Sequence, residues 1–304
     1  MKNNLIRFDW AIKRLLRNKA YHVILEGFLS ELMQEDLTID SILESEGNQE
    51  SASDKFNRVD ILVKNQKGEY VIIEVQNQLE FNYFQRMLYG TSKVLTEYIK
   101  VGEPYHNVKK VYSVNIVYFD LGQGADYVYH GKTNFEGIYQ HDNLELSGKQ
   151  KVFLGEDKTP SDLFPEYYII KVNQFDDVAR NTLDEWIYYF KNNEIKDEFK
   201  AKGLEQAKEI LKVDKMTKSE QASYKNHIVN LMEEASRERT LEMEAIIKER
   251  EIGKEEGKEI GKEEGKKEQA IETAKSMLQD GLDIEKVALY SGLTIEEVEA
   301  LTKR

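Results

Sequence analysis

The chain has 304 residues, no cysteine and a formal net charge of -13. Disulfides and thiolate metal sites are excluded, and a broadly basic nucleic-acid surface is disfavoured, although a local basic groove or metal ions bridging carboxylates to phosphates are not. No apolar run is long enough to span a bilayer, and the charged N-terminus MKNNLIRFDWAIKRLL is not a secretory signal, so no membrane role and a cytoplasmic location are expected.

Residues 8–33 read as two helices, with Ile12, Leu15 and Leu16 and then Ile24, Phe28, Leu29 and Leu32 at helical spacing. Residues 35–55 read as loop with room for one strand, and residues 59–76 as a hairpin. Residues 80–100 predict a helix with Phe84, Met87, Leu88, Leu95 and Ile99 on a broad face. Lys110 to Phe119 is rich in β-branched and aromatic residues and predicts a buried strand. Strand, helix, strand implies a crossover and a parallel pair. Tyr167 to Val172 is the best of several later strand candidates, and residues 176–193 return to helix.

Beyond about residue 195 the strand signals vanish and Glu, Lys and Ala dominate. Gly253, Gly257, Gly261 and Gly265 recur every fourth residue. On a helix they drift by only about 40° per step and form one stripe. It marks either a solvated helical linker or a bare face where a second helix approaches to give a homodimer or higher oligomer. The last stretch predicts a small helix-turn-helix-like tail, with Gly281 and Gly292 ending helices and Asp283 and Thr294 capping the next ones. Its acidic character suits partner binding or self-association better than reading a DNA groove. The expected division is a first domain over residues 1–195, a helical linker over 196–268 and the tail over 269–304.

The hairpin DILVKNQKGEYVIIEVQ carries two acids where apolar residues would be safer. With Gly68 in the left-handed position of a three-residue loop, Asn65 pairs with Glu69, Lys64 with Tyr70, Leu62 with Ile72, and Asp60 with Glu74. Val59, Ile61 and Val63 then meet Val75, Ile73 and Val71 on a core-facing layer. Two carboxylates opposed at about 5 Å repel. A shared proton, a basic neighbour such as Lys55 or Arg58, or a hard divalent cation would relieve them, unless both simply point into solvent.

Asp60 followed by Glu74-Val75-Gln76 at the end of a hairpin, and then a long helix, resembles the PD-(D/E)XK nuclease signature. DKFNRVDILVKNQKGEYVIIEVQ, then FQRMLY, with the N-terminal FDWAIKRLL and the late Gly-Lys-Glu repeat, resembles the Rpn family of recombination-promoting nucleases, also described as PD-(D/E)XK nuclease family transposases. The resemblance implies an α/β core of mixed sheet flanked by helices, with an all-helical C-terminal extension. It implies Mg²⁺-dependent endonucleolytic hydrolysis of DNA, with Mn²⁺ as a substitute, in recombination or mobile-element processing. Asp60, Glu74 and the backbone carbonyl of Val75 would hold the metal. Gln76 stands where the wider superfamily has lysine and would orient water or phosphate. Glu26 is the candidate acid from the first helices, with Glu31 behind it. Arg86, Lys55 and Arg58 would contact the DNA backbone, and each has a plainer reading as a structural ion pair or a solvated charge. The rival function is a catalytically weak or inactive nuclease-fold scaffold that acts through oligomerisation of the helical C-terminal region.

Overall fold

The computed structural model describes residues 5–15, 21–43, 61–99 and 102–302. In chain order they form α1 (Phe8–Leu15), α2 (His22–Met33), β1 (Ile39–Leu43), β2 (Ile61–Asn65), β3 (Tyr70–Gln76), α3 (Tyr83–Glu97) and β4 (Val111–Val117). There follow β5 (Val128–Gly131), α4 (Gly148–Leu154), β6 (Glu166–Lys171), α5 (Thr182–Asn192), α6 (Leu204–Ile210), α7 (Lys218–Gln279), α8 (Ile284–Ser291) and α9 (Ile295–Thr302). The strands make one mixed sheet in the order β1-β2-β3-β4-β6-β5.

The hairpin register is the one Gly68 demands. Ile61 pairs with Ile73, Leu62 with Ile72, Val63 with Val71 and Lys64 with Tyr70. Gly68 sits at φ 76°, and its N–H donates to the Asn65 carbonyl at 2.9 Å. β3 runs parallel to β4, and β4 parallel to β6, with α3 as the crossover between the first two.

Alternation splits the sheet into two faces. Ile61, Val63, Val71, Ile73 and Val75 join α1, α2, α5 and α6 in the main core. The other face carries Leu62, Tyr70 and Ile72 beneath Val94 of α3, and Val117 beneath Tyr83 and Met87.

α6 closes the main core. Its Leu204 and Ala207, and then Leu211 and Met216 beyond its end, are buried there, so residues assigned to a linker from 196 onward contribute to the first core. The approach is close enough to exclude any side chain at Gly27, where a Cβ would stand 2.1 Å from the Lys202 carbonyl oxygen. That carbonyl accepts from Trp186 Nε1 at 3.2 Å, and the Lys202 N–H donates to Glu31 at 3.1 Å. Gly27→Ala is therefore expected to cost about 3 kcal/mol, the upper range for overpacking, because backbone must move. Urea unfolding would show it as a lowered midpoint.

Two compact units emerge, Met1–Ile228 and Val229–Arg304. The second has its own small core of Ala274, Val287, Ala288, Leu293 and Val298. Gly281 and Gly292 take left-handed φ of 81° and 74°. The Thr294 N–H donates to Glu297 at 3.0 Å, and the Glu297 N–H donates back to the Thr294 hydroxyl at 3.2 Å, completing the capping box. Asp283 occupies the N-cap of α8 but makes no side-chain cap bond there and pairs instead with Lys286 at 3.3 Å. The four repeat glycines of α7 face open space in the single chain.

Candidate functional site

Glu74 lies near the C-terminal end of β3, on the face covered by α3. It is 6% exposed, so it is not a solvent-facing hairpin acid. Its Oε2 accepts from Arg86 Nη2 at 3.1 Å, and Arg86 Nη1 reaches Glu80 Oε2 at 3.0 Å. Burial opposes the Arg86 charge, but the two carboxylates more than restore it and raise the guanidinium pKa. α3 supplies Arg86 from its first turn, directly above the strand end it must reach. The structural ion pair considered for Arg86 is thus present.

Beside Glu74 the parallel register places Asn115 of β4, which is fully buried. The Tyr83 hydroxyl donates to Asn115 Oδ1 at 3.2 Å, while Asn115 Nδ2 donates to the Ser113 hydroxyl at 3.0 Å and to the Tyr168 carbonyl at 3.2 Å. A polar chain therefore runs through the sheet next to the carboxylate. An asparagine in the middle of KVYSVNIVYF was its only signal in the sequence.

Gln76 ends β3 half-buried, and its carbonyl accepts from the Tyr118 N–H at 2.9 Å. Val75 turns its side chain into the main core, leaving its backbone at the level of Glu74. Asp60, Lys55 and Arg58 lie outside the described residues.

Glu26 is not brought to Glu74. Its Oε1 accepts from the Ile39 N–H at 2.9 Å, and Ile39 pairs with Asn65 at the turn end of the hairpin. That is about 17 Å along the strand from Glu74. α2 also packs on the opposite face of the sheet. Glu26 satisfies the first backbone donor of β1, and Glu31 ties α2 to Lys202 and Thr182.

The first-helix acid that does approach the motif is Asp9 of α1. Its Oδ2 accepts from Nδ2 of Asn77, the residue after Gln76, at 2.9 Å. Arg7 donates to Asp9 Oδ1 at 3.2 Å and to Asn77 Oδ1 at 3.0 Å, and His227 of α7 lies 3.2 Å from Asp9 Oδ2. Burial alone would raise the Asp9 pKa, but the His227 hydrogen bond and the Arg7 charge more than offset it and hold it at about 2. A depressed folded-state pKa stabilises the fold above the unfolded value and is lost as pH falls through the folded one. Asp9→Asn should thus cost about 2 kcal/mol near neutrality. The gap between the two proteins in urea unfolding should hold down to about pH 5 and shrink between about pH 4 and 2.

Among the described residues no cluster of three or more His, Cys, Asp or Glu could hold a metal ion. Glu74 supplies carboxylate oxygen, the donor a hard divalent ion favours, and Arg86 holds its Oε2 in this structure. The second donor of the expected pair, Asp60, precedes Ile61 directly in the chain. Also among the described residues, no helix is long and apolar enough to cross a membrane.

A family model described as PD-(D/E)XK nuclease family transposase matches residues 6–240. No curated protein matches the chain, and no solved structure does.

Proposed function

The chain belongs to the PD-(D/E)XK nuclease family transposases, and on that premise we propose that it is a Mg²⁺-dependent endodeoxyribonuclease serving recombination or mobile-element DNA processing. The observation that carries the reading is Glu74, a carboxylate buried at the end of β3 and paired with Arg86 at 3.1 Å. A solvated surface hairpin has no need of either.

Asp60, Glu74 and the Val75 carbonyl would hold the ion, with Mn²⁺ as an alternative. When bound, the ion supplies a hydroxide nucleophile at neutral pH and charge neutralisation at the phosphate. The chain's residues do the rest. Glu74 presents its carboxylate at the strand end, with Oε2 paired to Arg86. Arg86, already bridging Glu74 and Glu80, is the side chain to clamp a phosphate oxygen, and its planar fork suits that geometry. Gln76 would hold a water by its amide without adding charge. Lys55 and Arg58 would contact the backbone phosphates. The test is plasmid DNA incubated with Mg²⁺ and with EDTA. Nicking or linearisation only with Mg²⁺ is expected; no cleavage at any protein concentration would remove this reading.

One observation favours a second reading, self-association through the C-terminal helix. Val229, Met232, Met243, Ile246 and Ile260 of α7 are all exposed in the single chain. These five fall on the a and d positions of one heptad frame, while Leu241, Ile247 and Ile252, also exposed, fall outside it, so the contact is two short apolar patches rather than a continuous seam. The expected result is that the full chain is a dimer by light scattering and that a chain ending at residue 228 is a monomer. A monomeric full chain would dismiss it.

A further inference from the structure

α3 is too narrow to cover its face of the sheet, and what it leaves open is aromatic. Phe84 and Leu88 on α3 and Tyr129, Tyr167 and Ile169 on the sheet line a groove of about 390 Å³. Phe84 is 51% exposed and Leu88 59%. The groove adjoins the carboxylate, because Met87 walls both it and the small void beside Glu74.

The strand register fixes how they relate. Glu74 pairs with Asn115, Asn115 with Ile169, and Ile169 with Tyr129. Paired residues point to the same face, so carboxylate and groove floor share one row across the sheet. At about 4.8 Å per strand, Ile169 lies about 10 Å and Tyr129 about 14 Å from Glu74. Tyr129 is held in place: its hydroxyl accepts from the Asp126 N–H at 3.0 Å, and a Cβ on Gly124 would stand 2.1 Å from that hydroxyl.

Charge decides the occupant. A duplex meets a protein with its phosphates, which Lys and Arg grip, whereas an unpaired strand can turn a base into a neutral groove and leave its phosphates outside it. Among the described residues lining this groove none is Lys, Arg, Asp or Glu, and its one imidazole, His130, is stacked on Tyr168 and hydrogen-bonded to Glu166. Neutral aromatic walls beside a phosphodiester-cleaving centre offer stacking, and only an unpaired base has a free face to stack. We propose that this groove is a nucleobase-stacking subsite, so that the preferred substrate is single-stranded or locally unpaired DNA. This rests on the nuclease reading and narrows its substrate.

The test uses the full-length protein in EDTA, with a labelled single strand of about twelve nucleotides and a duplex of the same length, read by fluorescence anisotropy. The single strand should bind at least about ten-fold more tightly. Phe84→Ala should weaken it about ten-fold and Phe84→Trp should restore it, while duplex binding stays unchanged. Phe84 is half exposed, so these variants should fold, which circular dichroism would verify. Equal binding of the two forms, or a Phe84→Ala protein that binds as wild type does, overturns the proposal. So does a dimer that Phe84→Ala dissolves, since a second copy would then fill the groove. Mg²⁺-dependent plasmid cleavage, measured in parallel, decides the nuclease reading separately.

Discussion

Glu74→Ala is expected to reduce Mg²⁺-dependent DNA cleavage by about a thousand-fold or more, equivalent to about 4 kcal/mol of transition-state stabilisation. The fold should survive. Arg86 keeps Glu80 at 3.0 Å, so the guanidinium is not stranded when Glu74 goes. A loss of about 1–2 kcal/mol in urea is the expected structural cost. Glu74→Gln separates charge from packing. It fills the same space and can still accept from Arg86, yet offers no carboxylate to a cation. If it loses cleavage as fully as alanine does, the charge is what matters. Asp60→Ala should match it. Cleavage by either Glu74 variant at the wild-type rate would take the carboxylate out of the chemistry.

The second large effect concerns where the first unit ends. A chain stopping at residue 228 should fold and keep cleaving, whereas one stopping at residue 199 should be largely unfolded. The shorter chain loses Leu204, Ala207, Leu211 and Met216, all in the main core. Each buried aliphatic side chain contributes about 1.5–3 kcal/mol, and typical net stability is only about 5–15 kcal/mol. It also loses backbone partners, since the Ile6 N–H donates to the Leu211 carbonyl at 2.7 Å. On α7 it loses Tyr224, whose hydroxyl accepts from the Arg7 N–H at 3.1 Å, and His227 beside Asp9. Circular dichroism and urea unfolding of both chains would decide. Cooperative unfolding of the 199-residue chain would mean that α6 is an appendage.

The hairpin was the most legible part of the molecule because one glycine and strict alternation over-determine it. Gly68 sets the turn, the turn sets the register, and the register places Ile61 against Ile73. The helix after it and its parallel strand followed from periodicity and crossover logic. The polar partners of the site were hidden because they come from distant segments. Asp9 meets Asn77 and His227 only after α1, β3 and α7 converge, and nothing in FDWAIKRLL marks that acid as buried. The place of Glu26 could not be read from its helix, which packs on the face away from Glu74, where its carboxylate meets the Ile39 N–H. The core contribution of α6 is not legible in GLEQAKEIL, which is short and charged, and its neighbour Gly27 reads as any helix glycine until Lys202 packs against it.

That contact also sets an order on synthesis. All six strands have left the ribosome once residue 171 is out. The surface that seals the sheet is still missing, because Gly27 waits for Lys202, and Ile6 waits for Leu211. Closure between such distant segments is slow, and until it happens the apolar face of a complete sheet stands open to solvent and to other chains. The nascent chain is most exposed to aggregation in the interval between its last strand and α6. The long helix that follows lets the sealing segment clear the exit tunnel while the chain is still tethered.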